Sequence, residues 1–307
     1  MTDIGMQTRM TPRKLKDHKI RRVRLPFNKG RIAFTSDPGE ANEFLIPQYR
    51  TRLRAIVRDP EDQILEEHDL GSGVCTAVGV LALAYAGTLG GEGKAKESFD
   101  LFSHLKWHQW GTSESSGIQN IKLGSAATNK NTGSAAKAVE ATNKVTPSGV
   151  GKPKLVSTAT IEAESTLEIK EWGIFSQQLL SEEKGTGKFK EGQLSATTAE
   201  ASGAVLTAST TEVLGERLKV LEAQENSAKE KGSVADEGWA LITSNSTTVY
   251  TFPAWYKEDT GGAYTPEKTS AYVLRPVMFD HRSFAVINVV SGNKIEFPWE
   301  LEIEGGH

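Results

Sequence analysis

The stretch from Lys294 to Glu304 leaves the least freedom in this chain. Ile295, Phe297, Trp299, Leu301 and Ile303 take every second position, and Lys294, Glu296, Glu300, Glu302 and Glu304 take most of the others. A period of two with an apolar and a charged side specifies a strand with one buried face and one wet face. The preceding stretch, Ser283 to Val290, is also strand-like, and Ser291-Gly-Asn293 between them has turn chemistry. The pair is therefore expected to form a hairpin. Pro298 removes a backbone donor, which points to an edge strand or a bulge.

The rest of the chain reads as mainly β, an antiparallel β-sandwich with one buried helix and an inserted α/β segment. Leu53, Ala55 and Val57 alternate with Arg52, Arg54 and Ile56, and Gln63 to His68 follows a Pro60-Glu-Asp62 turn, which makes a second hairpin. Val74 to Ala86 is almost wholly apolar, yet shorter than the roughly 20 residues of a membrane-spanning helix. It is expected to be a core helix capped by Ser72 and stopped by Gly87. Leu123 to Lys152 is rich in small polar residues and reads as a long exposed loop or as a segment ordered only by its neighbours. Leu155 to Ala163 and Leu167 to Phe175 alternate again.

Ser181 to Ser270 reads as an insert. Ser209-Thr-Thr-Glu212 has the capping-box pattern, and Leu214, Leu218 and Leu221 follow at helical spacing, so a helix is expected over 211–231. Trp239–Thr243 and Thr247–Phe252 are expected to form a hairpin across Ser244-Asn-Ser246, and Ala271–Phe279 to rejoin the main sheet. The expected division is a basic arm (1–48), a core (49–180 and 271–307) and an insert (181–270).

Charge is distributed unevenly. Ten basic residues against one acid, Asp17, give Arg9 to Arg31 a charge of +9; the whole chain carries −3, so the remainder carries −12. Such an arm suits a negative surface. Arg21, Arg22, Arg24, Lys29 and Arg31 are its candidate contact residues. The N-terminal stretch has no apolar signal core, and the chain is expected to be made in the cytoplasm, with no membrane partner. The net charge gives no reason to expect nucleic acid.

No chemical motif is complete. The glycine-rich segment ending Gly93-Lys94 has Thr88 and Ala95 where a phosphate-binding loop needs Gly and Ser or Thr. His104 and His108 are four apart, but Leu105 stands where a zinc hydrolase needs Glu, and a third ligand is missing nearby. The single cysteine, Cys75, allows no disulfide within one chain. No catalytic, metal or cofactor site is expected.

Four blocks, in order, resemble a family of tailed-bacteriophage virion proteins. They are the hairpin Arg52 to His68, the turn and apolar helix Gly71 to Gly87, the stretch Leu167-Glu-Ile-Lys-Glu-Trp-Gly-Ile-Phe175, and the closing strands Tyr272 to Ile303. The third is similar to an Ile-Thr-Glu-Ala-Gly-Leu-Phe signature that turns a strand over the sandwich. Glu171, Gly173, Ile174 and Phe175 match it, with Trp172 in place of the small residue and Lys170 in place of Thr. In the fourth, Arg275, Phe279, Phe284, Val289, Gly292, Ile295 and Ile303 occupy the family's positions. The arm and the insert depart from the pattern.

The resemblance implies a non-enzymatic structural subunit of a virion: tail, neck, baseplate or head surface. Partners would be further copies of the chain and other virion proteins. An alternative expectation is a receptor- or glycan-binding module of a fibre, with Trp239, Trp255 and Tyr256 as stacking platforms on a host-surface ligand. A depolymerising enzyme would need two carboxylates facing across a cleft.

Overall fold

The computed structural model describes residues 48–73, 75–86, 104–114, 120–147, 153–195, 197–202, 219–224, 238–245, 249–257, 261–264 and 271–304. The basic arm with Arg21, Arg22, Arg24, Lys29 and Arg31, the glycine-rich segment and the expected stop at Gly87 lie outside them.

Along the chain come β1 (Gln48–Arg58), β2 (Ile64–Gly73), α1 (Ala77–Ala86), β3 (Trp107–Gly111), β4 (Val139–Glu140) and β5 (Thr142–Pro147). Then follow β6 (Pro153–Glu162), β7 (Leu167–Phe175), β8 (Glu182–Leu194), β9 (Thr198–Ser202), β10 (Lys219–Gln224) and β11 (Gly238–Leu241). The last are β12 (Ser244–Asn245), β13 (Val249–Thr251), β14 (Tyr256–Lys257), β15 (Ala271–Pro276), β16 (Met278–Val289) and β17 (Lys294–Glu304). The fold is mainly β, with several antiparallel sheets and one short helix among the described residues.

The first sheet has five strands in the order β2-β1-β17-β6-β5. Its inner face is built from the alternation seen in the sequence. Val57, Ile295 and Ile161 stand in one cross-strand row, and Leu53, Trp299 and Ser157 in another. Each is almost fully buried. Burying side chains such as Ile295, Phe297 and Leu301 contributes about 2 kcal/mol apiece. The second sheet, β16-β7-β3-β4, carries Trp110, Trp172, Ile174 and Phe279 into the same core.

Two expectations about β17 are overturned. It does not pair with β16: β17 lies between β1 and β6, while β16 pairs with β7. The turn at 290–293 therefore steps from one sheet to the other. A tight turn between two alternating stretches has the same pattern whether the chain reverses within a sheet or changes sheet. Pro298 is thus in a central strand, not at an edge. Its missing donor interrupts the β1 ladder between Leu53↔Trp299 and Ile56↔Glu296, and the same register continues beyond.

The step is fastened to a second one beside it. Between β6 and β7 the chain makes the same change of sheet, and Ala163 donates its N–H to Asn293 O at 2.8 Å while Gly292 donates to Ala163 O at 2.9 Å. Gly292 has φ +89°, which an L side chain rarely adopts.

The helix begins later than expected. Ser72 is part of β2, and Thr76 is the cap, its Oγ1 accepting from Gly79 N at 3.0 Å. Thr76 N donates to Phe279 O at 2.9 Å, so the helix start is tied to β16. At Gly79 the helix backbone lies so close that an added Cβ would stand 2.7 Å from Phe279 O.

The third sheet has eight strands, β12-β13-β9-β8-β15-β10-β11-β14. The expected helix over 211–231 fails at Lys219–Gln224, which is β10, paired with β11 and β15. Val220, Leu221 and Ala223 are all buried there, because both faces of a central strand are covered. Leu221 belongs to this strand, and Leu214 and Leu218 lie outside the described residues. The rest of 211–231 lies outside the described residues. The expected hairpin is also shifted: β12 pairs with β13, whereas Trp239 is in β11, paired with β10 and β14. Ala271–Pro276 pairs with β8 and β10 rather than with the first two sheets.

Gly79→Ala tests the helix seat. Alanine is the better helix former by about 1 kcal/mol, but overpacking against Phe279 costs about 1–3 kcal/mol. The expected result is a lower urea midpoint with an unchanged slope.

Candidate functional site

Glu171 lies in the middle of β7, fully buried, where an unpaired carboxylate would be prohibitively costly. Four donors surround it. Ser125 N donates at 2.7 Å, Gly124 N at 2.9 Å, Ser113 N at 3.2 Å, and His281 Nε2 lies at 3.0 Å. Gly111 leaves the room: a Cβ there would meet Glu171 Oε1 at 2.4 Å. Burial pushes the carboxyl up, but the His281 bond and the Ser125 and Gly124 amides outweigh it, and its pKa lies below the ordinary glutamate value. One side chain thus ties Ser113, Gly124 and Ser125 to β7 and β16. Gly173 and Phe175 continue the same strand; a Cβ at Gly173 would sit 3.1 Å from the Phe175 ring and 3.2 Å from Leu123. The residues of the signature are therefore packing and anchoring residues. Gly292 is elsewhere, at the step between sheets.

A second buried ionic group was not marked by sequence reasoning. Asp280 and Arg282, both on β16, form a two-pronged pair, Nε–Oδ1 at 2.8 Å and Nη2–Oδ2 at 2.9 Å. Trp299 Nε1 donates to Asp280 Oδ2 at 2.8 Å, and Arg282 Nη2 donates to Thr51 Oγ1 at 2.6 Å. Arg282 fills the space beside Gly73, where a Cβ would lie 1.6 Å from its guanidinium carbon. The signal was present: Asp280-His-Arg282 is a charged triplet inside an apolar strand.

A third group joins the eight-stranded sheet to the others. Glu222, buried on β10, takes Lys122 Nζ and Arg275 Nε, and Arg275 Nη1 donates to Leu180 O at 3.2 Å. His108 is a fourth. It sits on a strand, not on a helical face with His104, and its ring meets Trp172 edge-on at 5.0 Å. Trp172 Nε1 donates to Nδ1 at 3.3 Å, which leaves Nε2–H to donate to Ser157 Oγ at 2.9 Å. Burial pushes this imidazole down to about 3.

Of the two expectations for 123–152, a long exposed loop or a segment ordered by its neighbours, the described residues fit the second. Asn129 is buried and organises it: its Oδ1 accepts from Thr132 N at 2.9 Å, and its Nδ2 donates to Gln109 Oε1 at 3.3 Å. Small polar residues that resemble disorder by composition here close a hydrogen-bonded turn.

The proposed stacking aromatics do not form an exposed platform. Trp239 and Trp255 are buried, and the half-buried Tyr256 ring stacks on Trp239 at 4.7 Å. The carboxylates of Glu171 and Asp280 are occupied by donors on both oxygens. Among the described residues no three His, Cys, Asp or Glu side chains cluster as a metal site. No helix among them is long and apolar enough to cross a membrane. In comparisons with known proteins, no family model, no curated protein and no solved structure matches the chain.

Two outcomes follow from these buried groups. Asp280→Asn leaves the Arg282 charge unpaired and is expected to cost about 3–5 kcal/mol, read by urea unfolding. For His108, the unfolded value of 6.5 lies above the folded value of about 3, so the unfolded chain binds more protons between them. Stability is then full above pH ~6.5 and falls as the pH drops towards 3, by up to about 1.4 kcal/mol per unit. Glu171 adds a loss only below its ordinary range, as the pH falls through its lowered folded value. His108→Gln should flatten the loss between pH 6.5 and 5, measured by unfolding across that interval.

Proposed function

We propose that the chain is a non-enzymatic structural subunit of a tailed-phage virion, in its tail, neck, baseplate or head surface. It assembles through its N-terminal arm and its sandwich with further copies and other virion proteins. The observation that carries this reading is where the four resembling blocks fall. They coincide with β1–β2, α1, β7 and β15–β17. Apart from β15, these strands make up much of the two sheets around the central core, and α1 seats on β16. The signature residues Glu171, Gly173 and Phe175 have packing roles, which suits a scaffold. The receptor- or glycan-binding alternative gains no support from Trp239 and Trp255, since both are interior.

Arm and body carry opposite charge, and opposite charge steers subunits together in a salt-dependent way. Deleting residues 1–32 should leave the unfolding midpoint unchanged, because the described core starts at Gln48. Incorporation into particles, measured by quantitative mass spectrometry of purified virions, should fall sharply. Normal incorporation would show the arm to be passive. Turnover of a polysaccharide or nucleotide, abolished by one carboxylate substitution, would overturn the structural reading.

A further inference from the structure

The outer face of the five-stranded sheet is striped by charge. On β2 stand Glu67 and Asp69; on β1, Arg52, Arg54 and Arg58; on β17, Glu296 and Glu300; on β6, Lys154. The stripes are joined across strands. Arg52 meets Asp69 at 2.6 Å, Arg54 meets Glu67 at 3.4 Å, Arg58 meets Glu296 at 3.0 Å and Lys154 meets Glu300 at 3.0 Å. An interior acid has bases to both sides: Glu300 is paired with Lys154 and stands opposite Arg52 in register. The acids of the β2 edge have bases on one side only, the β1 arginines. At the β2 edge the open stripe is acidic. At the β5 edge the one charged residue is a base, Lys144, exposed and opposite Val156 of β6.

The same two edges carry exposed apolar side chains. Ile64 and Leu65 on β2 are 57% and 53% exposed, and Val145 on β5 is 68% exposed. Among the described residues no strand lies beyond β2 or beyond β5. Open edges are normally guarded by charge against pairing with their own kind.

We infer that the β2 edge of one copy docks on the β5 edge of the next, continuing the five-stranded sheet from subunit to subunit. Acid meets base in this arrangement, with Lys144 of one copy set against Glu67 and Asp69 of the next. A two-fold contact of β2 with β2 would set acid against acid and is disfavoured. The contact joins two different edges, so it is head-to-tail and builds a ring or a filament. The intervening strands alternate in direction, so β2 and β5 run the same way. A rotation that preserves strand direction pairs them in parallel. This inference rests on the reading of the chain as a self-assembling subunit.

The test is self-association of the full chain by sedimentation velocity, with the unfolding midpoint of each variant as a control for folding. The wild type should form multimers that weaken as salt is raised. Lys144→Glu alone and Glu67→Lys alone should each weaken association by roughly tenfold or more. Both together in one chain should restore it towards the wild type, because every contact again sets opposite charges face to face. Multimers indifferent to both single substitutions, a double variant no better than the singles, or a full chain monomeric at all concentrations would overturn the edge contact. Virion mass spectrometry judges the structural-subunit reading separately, since a subunit recruited by other surfaces would still be found in particles.

Discussion

The buried pair of Asp280 and Arg282 is the interaction on which the core arrangement depends. It originates on β16, in the second sheet, but its hydrogen bonds end on Thr51 of β1 and Trp299 of β17, in the first. Apolar packing between two sheet faces is tolerant of sliding, because hydrophobic attraction has no direction. A guanidinium held by a two-pronged carboxylate is not tolerant. It is satisfied in one relative placement of the sheets and is costly in the others. Gly73 gives way to it, and Cys75, bridged to Asp280, begins the path into the helix. Hairpin, helix and both sheets therefore share one fixed point.

Glu171 and Glu222 extend the same device outward. Glu171 gathers the backbone amides of Ser113, Gly124 and Ser125, and Glu222 ties Lys122 of that neighbourhood to the eight-stranded sheet. Ile121 and Leu123, adjoining Lys122, are buried. The described residues from Ile121 to Ser125 are thereby placed by two carboxylates from two different sheets. Buried charge in this protein works as a set of pegs between layers.

Much of this could be read from residue order, and the parts that could not have physical causes. The buried face of β17 follows from Ile295, Phe297, Trp299 and Leu301, since alternation reports which side is wet. It does not report which strand is the neighbour, and so the hairpin expectation failed while the face was right. Leu214, Leu218 and Leu221 suggested a helix, yet Val220 to Ala223 is a strand covered on both faces, where periodicity is silent. Composition left Asn129 and its surroundings open between loop and order, because polar side chains that bond to one another look the same as polar side chains facing water. Glu171 was singled out through the resemblance. Asp280 and Arg282 were visible as charges inside an apolar strand, but their partners come from positions more than 200 residues away along the chain for Thr51 and Gly71.

The pairing of β1 with β17 sets a condition on how the chain is born. Of the two sheet neighbours of β1, β2 follows it at once and β17 waits at Lys294 to Glu304. At a synthesis rate of about 5–20 residues per second, β1 stands without β17 for roughly 10–50 s. During that time the apolar side of β1, with Leu53, Ala55 and Val57, has no Trp299 or Phe297 beside it. Contacts so distant in sequence also close slowly, because the loop entropy must be overcome before they form. The alternating arginines of β1 then have a second use: on a nascent strand they keep an unfinished sheet from joining that of a neighbouring nascent chain before its own last strand arrives.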